Sequence, residues 1–310
     1  MDGSAVFVPA VPGSEWIGRV LPGTSPADLP VAGRLFVDYA LECAQRFGVA
    51  MAQICDWSFS DRLRARFAEP REGYCIVFYQ KGAGPAPRGL ADLDGIPGPF
   101  TQPVADDLVV MWGVALPFHS PADPAYEPVP EEEIRETPPG VYRRTGGRWT
   151  RPARECPAVK DAASWLELSM QVLAGRGGYT LPGYSAQRGV HLCRNVVTEF
   201  GTEIEAPALL LDNSWCARNV RIGGGVVLGR NAFVGEGTRL SRTVVCDDTL
   251  VGENLELEGK IVIGRRIVDA ATGTWVDMEE PGLARGIRKA PKWIGAIGRF
   301  LAGTSMGRRG

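Results

Sequence analysis

The sequence predicts two domains in series, an α/β domain followed by a parallel β-solenoid with triangular coils, and three observations predict it. From Leu192 to Leu250 an apolar or small residue returns every six positions, with Thr198 the one polar member. The N-terminal stretch runs strand, loop, helix, the opening of an α/β unit. A chain of 310 residues, 45% hydrophobic and 23% charged, has room for two cores and the composition of an ordinary globular protein.

Ala5 to Ala10 is a short apolar run closed by proline and glycine, which predicts a first buried strand. Val11 to Pro30 is rich in Pro, Gly and Ser and predicts a loop. From Leu29 to Gly48, Leu35, Phe36, Tyr39, Ala40, Cys43 and Phe47 recur at helical spacing, and Gly48 stops the pattern. Ala50–Cys55, Tyr74–Gln80 and Asp107–Val114 are further strand candidates, the last two separated by a Gly/Pro-rich segment. A proline- and glutamate-rich loop follows. Val141–Thr150 predicts a hairpin turning at Gly146 and Gly147. Lys160–Ala174 carries Ala163, Leu166, Met170 and Leu173 at three- and four-residue spacing, the mark of an amphipathic helix.

In the solenoid the leading positions are Leu192, Thr198, Ile204, Leu210, Cys216, Ile222, Leu228, Val234, Leu240 and Cys246. A second series, four residues further on in each unit, from Val196 through Val220 and Val226 to Leu250, is small or β-branched until its last member. Gly223, Gly229 and Gly235 follow the leading residue where the backbone must pass close to a neighbouring strand. One residue is then dropped, and the phase resumes at Val251, Leu257 and Ile263. Three hexads make one triangular coil, so about four coils stack, enough for a continuous core. Residues 271–282 are expected to cap the C-terminal end. The domain boundaries read as 1–182, 183–270 and 271–310.

Seven scattered cysteines without a C-x-x-C pair read as small buried residues, and the only histidines, His119 and His191, form no ligand cluster, so no metal site is expected. The start lacks a basic leader, and no stretch approaches the ~18 apolar residues of a membrane span. The expected location is cytoplasmic. Net charge is −2, but residues 281–310 hold seven basic groups and no acid, leaving 27 basic against 36 acidic groups in the body, a formal −9. Leu283, Ile287, Ile294, Ile297 and Leu301 share a helical face in this tail, with Arg288, Lys289, Lys292, Trp293 and Arg299 around them. Such a segment suits either an anionic membrane interface, here the inner face, or docking on a partner or on the chain's own body. Nucleic acid is a poor partner for an acidic body with no reader motif.

The hexad pattern resembles the left-handed parallel β-helix of the hexapeptide-repeat family. The N-terminal half is similar to sugar-nucleotide pyrophosphorylases, which are nucleotidyltransferases: LPVAGRLFVDYAL at Leu29–Leu41 matches the segment that begins their first long helix, and DLVVMWGVALP falls where their strand ends in Gly-Asp. SWLELSMQVL and LPGYSAQRGVHLCRNV resemble the helix and linker that lead into their hexapeptide domain. The resemblance covers most of residues 5–268 and implies a Rossmann-like nucleotidyltransferase domain joined to a β-helix. It also implies a nucleotide-sugar ligand, Mg2+ in active members, and self-association through the β-helix.

The catalytic motifs of that family are missing. The Gly-rich loop G-x-G-T-R-L is replaced by PAVPGSEWIGRVLPGTSPADLP, where Gly13, Gly18, Arg19 and Gly23 fall at other spacings. Ala27 and Asp28 stand where the family lysine is expected, and Trp112-Gly113 stands in place of Gly and the magnesium-binding aspartate. Asp38 or an Asp106/Asp107 pair are the only substitutes for that ligand. The expectation is therefore a catalytically degenerate relative with a binding, regulatory or scaffolding role in sugar-nucleotide or cell-surface polysaccharide biosynthesis, which by resemblance could pair with an active nucleotidyltransferase. Arg19, Arg34 and Trp112 are the candidate ligand-binding residues, Trp112 serving equally well as plain core. Two enzymatic alternatives remain open. One is an active sugar-1-phosphate nucleotidyltransferase with a remodelled phosphate loop. The other is acyl transfer at the solenoid, with His191 as base.

Overall fold

The computed structural model describes residues 4–49, 51–55, 63, 65, 67, 75–78, 87–95, 107–118, 125–154 and 156–278. A seven-stranded mixed sheet organises the N-terminal half, in the order Cys75–Phe78, Met51–Ile54, Ser4–Val8, Asp107–Trp112, Gly140–Thr145, Arg148–Pro152, Tyr126–Pro128. The first four strands are parallel and the last three antiparallel. Chain order across the parallel part is therefore third, second, first, fourth. The direction of travel reverses between Ser4–Val8 and Asp107–Trp112, which opens a crevice at their C-terminal ends. The expected hairpin is present, with Gly146 at φ 55° and Gly147 at φ 78° making its two-residue turn.

Each face of this sheet has its own core. Val6, Val8, Leu108, Val110, Trp112 and Tyr142 face one way and are covered by Leu90, Leu93 and Val129. Ala5, Phe7, Val109, Met111 and Val141 face the other way. That second face packs on the helices Phe36–Arg46 and Ala162–Leu173, and the same core continues into solenoid residues Leu209, Val227, Val244 and Ile261. The result is three layers, sheet, helices and solenoid, bound by one apolar interior. The Asp161 carboxylate accepts from Ser164 N and the Ser164 hydroxyl sits beside the Asp161 amide, a capping box that fixes where the second helix starts.

Two expectations on local structure change. The Phe36–Arg46 helix begins later than its pattern, because Pro30–Val31 and Arg34–Leu35 pair around a tight turn at Ala32 (φ 38°) and Gly33 (φ 79°). This turn abuts the solenoid: a Cβ on Gly33 would lie 2.8 Å from a Leu209 methyl. The segment Val11–Pro30 is not all loop, since Glu15–Val20 is helical and Pro26–Asp28 forms a 3-10 turn.

The C-terminal half is a left-handed, β-helix-like solenoid of about four coils. Leu192, Leu210 and Leu228 stack in register, as do Thr198, Cys216 and Val234, and Ile204, Ile222 and Leu240. The dropped residue lies earlier than expected. Leu228 aligns with Val245, not Cys246, so the short hexad falls at the turn through Arg242, which sits at φ 43°. Cys246 instead joins the interdomain core. A second short hexad at Gly259 makes Val262, not Ile263, the inward residue of the last coil. The inward small series accordingly continues through Thr243 and Thr249 rather than Val244 and Leu250.

Glycines 223, 229 and 235 sit where the next coil passes: a Cβ on Gly229 would lie 2.4 Å from Asp247 N, and one on Gly235 would lie 2.6 Å from the Gly252 backbone. The solenoid ends in an antiparallel meander, Lys260–Ile263, Arg266–Asp269 and Trp275–Asp277, so the cap begins before residue 271. Tyr184–Gln187 pairs antiparallel with Val190–Leu192 at the other end.

Candidate cleft at the strand ends

Val8, Val11, Gly113 and Pro139 meet where the sheet's direction of travel reverses. Gly113 N donates to Val8 O at 2.8 Å, and its φ of 70° suits glycine. A Cβ there would lie 2.8 Å from Pro139 Cβ and 3.2 Å from a Val11 methyl, so the crevice is closed at this point by side-chain packing.

The open space lies one strand further on. A cleft of about 510 Å³ begins at Pro139 and Gly140 and runs along Tyr142, Arg151, Arg154, Cys156, Lys160 and Ser164. Its charged lining is Arg151, Arg154 and Lys160 against Glu127. Arg151 is anchored by Glu127 at 2.8 Å and by Glu133 at 2.5 Å, and Arg154 and Lys160 stand at the segment that leads from the sheet into the helix Ala162–Leu173. Tyr142 donates its hydroxyl to Pro138 O at 2.7 Å, and burial pushes its pKa well above the usual phenol range, so it is a neutral wall. With Glu127 and Glu133 held on Arg151, these groups leave a formal surplus of one positive charge over a neutral wall, a modest bias toward an anionic ligand.

The residues singled out in the sequence are dispersed rather than gathered here. Trp112 is fully buried in the sheet core, with its Nε1 lacking a hydrogen-bond partner. Arg34 is engaged by Glu42 at 2.6 Å, by Thr180 O at 2.8 Å and by the Tyr39 ring at 4.4 Å, so it ties the first long helix to the interdomain linker. Arg19 is exposed on the helix Glu15–Val20, and its carbonyl, with that of Val20, accepts from the Arg266 guanidinium at 2.7 and 3.0 Å. His191 lies on the solenoid face turned to the N-terminal domain, between Ser185 and Leu209, with Nδ1 buried and unpartnered. The tail residues Arg288, Lys289, Lys292, Trp293 and Arg299 lie outside the described residues, as do His119 and Asp106.

No donor set for a divalent cation is assembled: among the described residues no three His, Cys, Asp or Glu side chains group together. Asp107 begins its strand, five residues and roughly 17 Å from Trp112 at the cleft end, and is clamped by Arg143 through two bonds of 2.7 and 2.6 Å. Among the described residues, Asp107 is therefore not placed to serve as the magnesium ligand of the nucleotidyltransferases, Asp38 lies on the helix Phe36–Arg46 away from that strand end, and Asp106 lies outside the described residues. Burial pushes the thiols of Cys43, Cys55 and Cys216 up to about 12, so these cysteines are unreactive core residues. No helix among the described residues is long and apolar enough to cross a membrane.

No protein-family model matches the chain, and no curated protein matches it at a significant level. Arg151, Arg154 and Tyr142 escaped the sequence reading because they come from different strands and connections, with no fixed spacing to link them.

Proposed function

We propose that this chain is a catalytically degenerate nucleotidyltransferase-like protein that binds a phosphorylated sugar or nucleotide sugar without turning it over. The observation that carries this reading is the fate of the segment Val11–Asp28. In an active nucleotidyltransferase this region must offer free backbone amides and a lysine to phosphates. Here it folds into a helix whose last carbonyls are held by Arg266 of the solenoid cap, while Asp28, at the expected lysine position, is a buried carboxylate. The cleft beside Pro139, on the antiparallel side of the closed switch point and lined by Arg151, Arg154 and Lys160, supports retained binding. The assignment to sugar-nucleotide or cell-surface polysaccharide biosynthesis, and an active nucleotidyltransferase as partner, rest on the sequence resemblance alone.

Acyl transfer is less well supported, because His191 faces the neighbouring domain instead of an open groove. Calorimetric titration with nucleoside triphosphates, sugar 1-phosphates and nucleotide sugars tests the proposal, alongside pyrophosphate release with Mg2+. Binding without release is expected. Release would show that the phosphate loop has been rebuilt elsewhere, and no binding by any of these ligands would refute the ligand class.

A further inference from the structure

The three faces of the solenoid are unlike one another. One, through Leu209, Val227, Val244 and Ile261, is buried against the N-terminal domain. A second projects Glu203, Arg221, Arg239 and Glu256 from successive coils. The third stacks Val197, Trp215, Phe233 and Leu250, one above another, and is open to solvent, with Leu250 45% exposed. Beside this apolar column run Glu199, Ala217, Gly235 and Gly252; the last three are small enough for another flat surface to approach, and the Glu199 carboxylate accepts from Trp215 Nε1 at 3.2 Å and lies 3.6 Å from Arg218 Nε.

We propose that this third face binds a second copy of the chain in a two-fold arrangement that reverses the order of coils. Reversal sets the first coil of one copy against the fourth of the other, and the second against the third. Val197 then meets Leu250, and Trp215 meets Phe233. One corner of the face carries Arg194, Asp212, Arg230 and Asp247 in successive coils. Within one chain Arg230 already lies 3.9 Å from Asp212 and 3.4 Å from Asp247. On reversal Arg194 meets Asp247 and Asp212 meets Arg230, so the second copy extends these pairs with opposite charges along the whole edge. At the other corner Arg218 meets Glu236, and Phe200, 89% exposed, meets Glu253.

The alternatives are poorer. On the second face, reversal puts Glu203 on Glu256 and Arg221 on Arg239, like on like. A parallel two-fold across the third face sets Asp212 on Arg218 and Arg230 on Glu236 but Asp247 against Glu253, a like-charge contact that reversal avoids. Four strands about 4.8 Å apart and about five residues wide limit the buried area to the order of 1,000 Å² in total, the lower end for specific interfaces. A reversible dimer in the micromolar range is the consequence.

Sedimentation velocity of the full chain across a concentration series tests this. A monomer–dimer equilibrium is expected, weakened at least tenfold by Leu250→Asp, an exposed substitution whose effect on folding is checked by an unchanged melting temperature. Orientation is read by mixing a Val197→Cys chain with a Leu250→Cys chain under mild oxidation. Cross-links should form between the two variants and not within either alone. A monomer at all concentrations, a trimer, self-cross-linking of Val197→Cys, or a dimer indifferent to Leu250→Asp would each overturn the proposal.

Discussion

Glu42 is the hub of the joint between the first long helix and the interdomain linker, and its removal gives a prediction with a defined size. Its carboxylate accepts from Arg34 at 2.6 Å, Arg46 at 2.7 Å and the Thr180 amide at 3.2 Å. Arg46 also donates to Gly177 O and Gly178 O and lies 4.5 Å from the Tyr179 ring centroid, so the whole linker turn is read by one charge network. The Glu42 side chain is 16% exposed, and Arg34 and Arg46 are 22% and 29% exposed, so solvent screens the network only in part. A hydrogen bond to a charged group contributes ~1.5–3 kcal/mol when buried, while a fully exposed pair contributes ~0–1 kcal/mol.

Glu42→Ala is therefore expected to cost about 2–3 kcal/mol, and Glu42→Gln, which keeps one acceptor, about half of that. A fall in melting temperature of roughly 3–5 °C follows for Glu42→Ala. Burial opposes the charged form of Glu42, but the bonds from Arg34, Thr180 and Arg46 outweigh it and hold its pKa below the usual glutamate range. The stabilisation is thus complete above that range, ~4.3 for a free glutamate, and is lost as pH falls through the lowered folded value. Denaturant titrations at neutral and acid pH should show wild type and Glu42→Gln converging in acid. A Glu42→Ala protein within ~0.5 kcal/mol of wild type at pH 7 would refute the network's role.

Three further outcomes follow from the geometry. Asn213, at φ 60°, donates to Asn231 and accepts from Asn195 in a side-chain ladder, so Asn213→Ala should cost ~2 kcal/mol by chemical denaturation and Asn213→Gly well under that, since glycine removes the left-handed strain. Gly235→Ala should destabilise the solenoid by ~1–3 kcal/mol, because the new methyl meets the Gly252 backbone and not a movable side chain. Arg266→Ala should speed amide exchange across residues 15–21 without producing pyrophosphate release, because freeing the segment does not supply the missing lysine or metal carboxylate.

The solenoid was legible because inward packing repeats at one spacing through Leu210, Leu228 and Leu240, and no other fold demands that regularity. Its phase was misread near residue 244 for a physical reason. The Thr243–Val245 strand is buried on both sides, inside the prism and against the N-terminal domain, so Val244, Val245 and Cys246 are all apolar and alternation cannot tell inward from outward. A second signal was present and unused: Asn195, Asn213, Asn231 and Asp248 recur once per coil, all at positive φ, and would have marked the corner and located the short hexad before Asp248. The strand order of the parallel sheet cannot be read from strand patterns alone, since pairing is a long-range choice. The cleft was invisible for a related reason. Arg151 and Arg154 look like ordinary hairpin-end arginines until Gly140 and Lys160 are brought beside them.

The measurement closest to the central claim is calorimetric binding of a sugar 1-phosphate and its nucleotide sugar to the wild-type protein and to Lys160→Ala, paired with pyrophosphate release on the same preparations. Lys160 is exposed, so its replacement leaves the fold intact while removing one of the cationic groups of the cleft. Measurable binding by wild type, weakened about tenfold or more in Lys160→Ala and accompanied by no release in either protein, is the predicted result. Release of pyrophosphate, or binding indifferent to Lys160, would contradict the account.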